Sequence, residues 1–154
     1  MTNTNQQGEL IHLFPVPVVK INIGRSFTKE ETDCIANIPF QKKIGDPHQQ
    51  SECFEIFDNF AEELKDIKVF CEHELKRYLE EIEGVDTDRV DLRITQSWLN
   101  KIESQESHPS HNHQNSHLSG VLYIKCLPND NIQFRDQFKL IAPTLNFPKK
   151  KKTS

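Results

Sequence analysis

Ser107-His108-Pro109-Ser110-His111-Asn112-His113-Gln114-Asn115-Ser116-His117, with Leu118-Ser119-Gly120-Val121-Leu122-Tyr123-Ile124-Lys125-Cys126-Leu127 directly behind it, is the stretch on which the reading of this chain turns. Four of the seven histidines fall inside its first part. Neutral imidazole is the commonest protein ligand for transition metals, so this density points to a metal site. The spacing of His111 and His113 sharpens it. Alternate residues of an extended segment project from one face, where two rings can converge on one ion. The competing reading is a solvated polar loop of Ser, Asn, Gln and Pro that captures metal only as a tag does.

Strand signals stand on both sides of the histidines. Leu118 to Leu127 is apolar and β-prone and is closed by the turn residues Pro128-Asn129-Asp130-Asn131. Upstream, Leu92, Ile94, Gln96, Trp98, Asn100 and Ile102 share one face of an expected strand, with Arg93, Thr95, Ser97 and Lys101 on the other. The histidines therefore lie on a connection between two strands. The fold class expected is mainly β with flanking helices, an α+β arrangement.

The remaining elements follow from local signals. Residues 1–8 are expected to be a disordered N-terminus. Leu10 to Ile23 reads as extended, limited to an edge or irregular strand by Pro15 and Pro17, with Gly24 ending it. Thr28-Lys29-Glu30-Glu31 has capping-box form and launches a helix that runs through Ile38 and stops before Pro39. Residues 41–51, with Gly45, Asp46 and Pro47, read as an exposed loop carrying a surface His48. The clearest helix is predicted over Phe57 to Glu83, with Phe60, Leu64, Ile67, Cys71, Leu75, Tyr78, Leu79 and Ile82 as its apolar stripe and Gly84 as its cap. That stripe reads as core, and His73 on the charged side is not expected to be a ligand.

Composition bounds the function. A chain of 154 residues, 35% hydrophobic with ten Phe, fits one domain with a core, expected over residues 9–148. Mean hydropathy is −0.66. No run of about 18 apolar residues occurs, and the first residues lack the basic and apolar regions of a signal peptide, so a cytoplasmic protein is expected. Cysteines at 34, 53, 71 and 126 have no C-x-x-C spacing, which argues against a zinc ribbon, a redox pair or a disulfide scaffold. Net charge is −4, and the run Lys149 to Lys152 reads as a solvated tail in 149–154, not as a nucleic-acid site.

Ser97-Trp98-Leu99-Asn100, the stretch His108 to Ser116 and the stretch Leu118 to Lys125 together resemble the phage and bacterial group of 2-oxoglutarate and iron(II) dependent oxygenases. Leu13-Phe14-Pro15-Val16-Pro17-Val18 and Ile132-Gln133-Phe134 add to the resemblance. It implies a double-stranded β-helix, or jelly roll, with the long helix buttressing its major sheet. It also implies Fe(II) as cofactor, 2-oxoglutarate as cosubstrate and hydroxylation of a substrate that the sequence does not identify. His111 corresponds to the first iron ligand, and His113 stands where the H-x-D motif of the superfamily has its carboxylate. Asn100 and Tyr123 are candidates for polar contacts to cosubstrate or substrate, or equally for structural hydrogen bonds, and His108 and His117 either support the ligands or face solvent as bystanders.

Two departures qualify the likeness. An imidazole at position 113 leaves the ion more positive than the usual facial triad of two histidines and one carboxylate. No histidine follows His117, whereas the superfamily completes its triad with a distal histidine and a basic residue beyond it. A jelly roll needs about eight strands, so the expectation is an incomplete one, either a fragment of a longer oxygenase or a natural short form. Two alternatives stay open. His111, His113 and His117 also resemble the first metal motif of cupins, and a truncated barrel with exposed strand edges would serve as a noncatalytic binding fragment or pair as a homodimer.

Overall fold

Thr28 begins the first helix as its side chain dictates. In the computed structural model, which describes residues 16–42, 45, 47–128 and 130–134, the Glu31 amide donates to Thr28 Oγ1 at 3.1 Å and the Thr28 amide donates to the Glu31 carboxylate at 2.8 Å. The reciprocal pair satisfies two otherwise orphaned N–H groups and launches α1, Lys29–Asn37. Arg25 closes the arrangement with two parallel bonds to Glu31, at 2.8 and 2.6 Å, although Glu31 is only 3% exposed. The guanidinium holds the Glu31 carboxyl below the usual carboxylate range, against a burial effect of opposite sign.

The chain divides into two units, residues 1–107 and 108–154. In the first, α1 is followed by β1, Phe40–Lys42, and β2, Gln49–Ser51, which pair antiparallel with Phe40 opposite Ser51 and Lys42 opposite Gln49. The expectation of an exposed loop over 41–51 is thereby corrected. Gly45, at φ +88°, takes the left-handed conformation in the connection that brings the strands back together. His48 is 6% exposed, so it is buried, not a surface residue. β3, Asn100–Lys101, pairs antiparallel with β2 to give a three-stranded sheet in the order β1-β2-β3.

Two serines bind the approach to β3 onto the segment after β2. Ser51, 0% exposed, donates its amide to the Leu99 carbonyl at 2.9 Å, while its hydroxyl donates to the Cys53 carbonyl at 2.8 Å and accepts from the Leu99 amide at 3.0 Å. Ser97 exchanges backbone bonds with Phe54 and Ile56, and its hydroxyl accepts from the Phe57 amide at 3.1 Å. Trp98 lies with its ring 5.9 Å from that of Phe54.

The helical periodicity over 57–83 is realised in two pieces, α2 at Ile56–Asn59 and α3 at Lys65–Glu81. Phe60 (φ −125°, ψ 45°) and Leu64 (φ −108°, ψ 15°) leave helical geometry, and Ile56 and Leu64 are each buried. Ile67 and Leu79 are buried and Cys71, Leu75 and Tyr78 half-buried, as the stripe requires, whereas Ile82 at its end is 47% exposed. Gly84 follows with φ +68°, the left-handed value expected of a cap. Among the described residues, the buried apolar side chains are Ile38, Ile56, Leu64, Ile67 and Leu79, all in the first unit.

Among the described residues of the second unit there is no helix. From Leu118 to Lys125, the even positions Leu118, Leu122 and Ile124 are half-buried, while Val121, Tyr123 and Lys125 are exposed. This is the alternation of a strand, but among the described residues no strand ladder forms between 108 and 134. The architecture is thus a small α+β arrangement around a three-stranded antiparallel sheet. It is compatible with part of an oxygenase fold, and the described residues do not form the jelly roll expected from the resemblance. Cys34, Cys53, Cys71 and Cys126 are free thiols, and no helix among the described residues is long and apolar enough to cross a membrane.

Candidate metal centre

The histidine loop brings three of its imidazoles into a row. The His108 and His111 rings lie 4.5 Å apart and those of His111 and His113 lie 4.9 Å apart at 28° to one another. Pro109 disfavours helical backbone at the residue before it, so the sequence enters the loop extended. Its carbonyl lies 3.0 Å from Nδ1 of both His108 and His111. A carbonyl only accepts, so both Nδ1 atoms carry hydrogen, which turns Nε2 of each ring into the atom that can bind a metal.

Nε2 of His111 and Nε2 of His113 stand 2.9 Å apart, and Nδ1 of His113 lies 3.1 Å from Ser119 Oγ. Two cis ligands of an octahedral ion, each about 2.1 Å from the metal, stand about 3.0 Å apart. The H-x-H spacing thus puts two nitrogens at the edge length of such a site. His113 is half-buried, and burial, followed by the neighbouring His111 and His108, holds its pKa below the ordinary imidazole value. It is neutral at physiological pH, which is the ligating form.

Residues 96–153 match the family model described as Putative 2OG-Fe(II) oxygenase. The match spans a little over a third of the chain and contains the whole histidine loop, Trp98 and the strand-like stretch after the loop. No curated protein and no solved structure matches the chain. Residues 135–153 of the matched segment lie outside the described residues, as does the expected basic tail.

The family implies Fe(II) and 2-oxoglutarate, and the donor set can be tested against that pair. The separation of the two imidazole nitrogens matches that of cis ligands. Among the described residues, no group of three or more His, Cys, Asp or Glu side chains is placed to hold a metal ion, so neither a facial triad nor the three-histidine set of the cupin-like reading is assembled there. His117, the third member of that set, is exposed.

Asn100 is exposed on β3 in the first unit, and Tyr123 is 50% exposed in the second. His73 is exposed beside Glu74. Two groups that reading the sequence did not single out touch the imidazoles, the Pro109 carbonyl and the Ser119 hydroxyl. A main-chain oxygen has no sequence signature. Ser119, six residues beyond His113, had no spacing rule to mark it.

Proposed function

We propose that this chain is a 2-oxoglutarate and Fe(II) dependent oxygenase that hydroxylates a substrate yet to be identified, with His111 and His113 as metal ligands. The observation that carries this reading is the 2.9 Å approach of their Nε2 atoms inside the segment that matches the oxygenase family. When bound, iron(II) with 2-oxoglutarate would supply the chemistry by which dioxygen hydroxylates a C–H bond, one oxygen atom going to the substrate and the other to the succinate left when 2-oxoglutarate loses carbon dioxide.

What the chain contributes is placement. His111 and His113 bring their Nε2 atoms together from one loop, and half-burial favours the neutral form of His113, the one that coordinates. Tyr123, in the same unit as the two histidines, offers a phenol to the cosubstrate or substrate. Because His113 takes the position of a carboxylate, the protein neutralises less of the ion's charge, and the dianionic cosubstrate supplies more of it. Fe(II) affinity is therefore expected to rise with 2-oxoglutarate.

Anaerobic calorimetric titration with Fe(II), with and without 2-oxoglutarate, tests this on the wild-type chain and a His111→Ala, His113→Ala double variant. Binding that tightens with 2-oxoglutarate and disappears in the variant is expected. Equal heats for the two proteins would overturn the assignment of the ligands.

A further inference from the structure

Beside the stripe that feeds the core, α3 carries a second one. Val69, Glu72 and Lys76 recur at helical spacing and form one wall of a groove of about 510 Å³, and residues 87–92 line its other wall. The groove is apolar where its walls meet solvent. Val69 is 56% and Val90 46% exposed, and the neighbouring Leu92 is half-buried. Each isolated exposed valine would be ordinary, but here they share one concavity.

The charge around this groove has one sign. Between Glu52 and Asp91 the sequence carries fourteen acidic residues against five basic ones, a net charge of −9 in a chain whose total is −4. Within the groove, the carboxylates of Glu72 on one wall and Asp91 on the other make no hydrogen bond or ion pair among the described residues. The cation of the groove, Lys76, lies 3.7 Å from Glu80 and 3.9 Å from Asp88, and these two acids balance it. A nucleic acid or an anionic lipid surface would be repelled. A ligand that satisfies both features brings positive charge on an apolar stem.

We infer that this groove is a docking site for a basic, partly apolar peptide segment of a partner protein. Lysine and arginine suit it because their methylene stems can lie on Val69 and Val90 while their heads reach Glu72 and Asp91. From Val69 to Lys76 the helix rises about 10 Å, the span of about three extended residues, so a segment of chain fits the wall better than a single amine does. The acids outside the groove then steer the approach of the partner. All of these residues belong to the first unit, so the inference stands apart from the reading of His111 and His113 as metal ligands.

Fluorescence anisotropy on the full chain tests it with three short labelled peptides, one mixing lysine with leucine, one lysine with serine and one glutamate with leucine. The lysine–leucine peptide is expected to bind the most tightly and the glutamate–leucine peptide not at all. Replacing the two groove carboxylates together, Glu72→Gln with Asp91→Asn, should weaken binding by about tenfold, the loss of two partly exposed ion pairs. Val69→Ser should weaken it by about fivefold through lost apolar contact. Glu62→Gln with Glu63→Gln removes the same charge from exposed positions outside the groove and should leave affinity within about twofold of wild type. Circular dichroism confirms that each variant is folded.

Equal losses from the Glu62, Glu63 pair and the groove pair would reduce the effect to the charge of the surface and overturn the docking site. So would equal affinity for the leucine and serine peptides, or no binding of either. Self-association of the chain that Val69→Ser abolishes would seat a second copy in the groove and overturn the basic partner.

Discussion

Replacing Ser51 by alanine should destabilise the first unit by about 2–3 kcal/mol. The serine is 0% exposed, and its hydroxyl makes two bonds, to the Cys53 carbonyl at 2.8 Å and from the Leu99 amide at 3.0 Å. Each is worth about 1 kcal/mol net, and a polar group left unpaired away from water costs about 1–3 kcal/mol, so two losses at one buried point give the total. Water cannot easily replace the hydroxyl at a fully buried position. Against a domain stability on the order of 5–15 kcal/mol, the change is large. Urea denaturation followed by circular dichroism gives the free energy, and hydrogen exchange of the Leu99 amide localises it. Ser97→Ala is the internal comparison, since the Ser97 hydroxyl accepts one bond, from the Phe57 amide at 3.1 Å, and should cost about 1 kcal/mol. A Ser51→Ala protein within about 0.5 kcal/mol of wild type, or unchanged exchange at Leu99, would refute the view that these hydroxyls bind the approach to β3 onto its neighbour.

Two further predictions concern single residues. Gln105 occupies the left-handed region at φ 70°, so Gln105→Gly should raise stability by about 0.5 kcal/mol and the β-branched Gln105→Val should lower it by about 1–2 kcal/mol, read from denaturation midpoints. Glu31 has a folded-state pKa below its unfolded value, so the stability it contributes is present above the ordinary carboxylate range and is lost as pH falls through the folded value; acid titration of Glu31→Gln should show a shallower loss than wild type over that window.

How far the sequence disclosed this protein depended on the kind of signal each element uses. The capping box at Thr28 and Glu31 is a local chemical pattern, and the structure realises it as read. The α3 stripe is periodic and was equally visible, but the break between Asn59 and Lys65 was not, because no proline or glycine marks it in the sequence. The hairpin of β1 and β2 escaped because Phe-Gln-Lys and Gln-Gln-Ser carry one apolar residue between them. Their pairing comes from main-chain bonds and from the third strand, which lies far off in sequence. At the site, the approach of His111 to His113 could be read from spacing alone. The oxygens facing their Nδ1 atoms belong to a peptide bond and to a serine without a motif.

The carbonyl of Pro109 has a bearing on how this loop tolerates change. Every residue type at position 109 brings the same oxygen, so no single substitution deletes the acceptor that His108 and His111 share. An alanine scan would pass over it, and drift in the coding sequence cannot erase it. What proline adds is a fixed φ, which aims the oxygen without help from a side chain. The orientation of His111 is in this sense written into the backbone, and only a change in loop length or path would remove it.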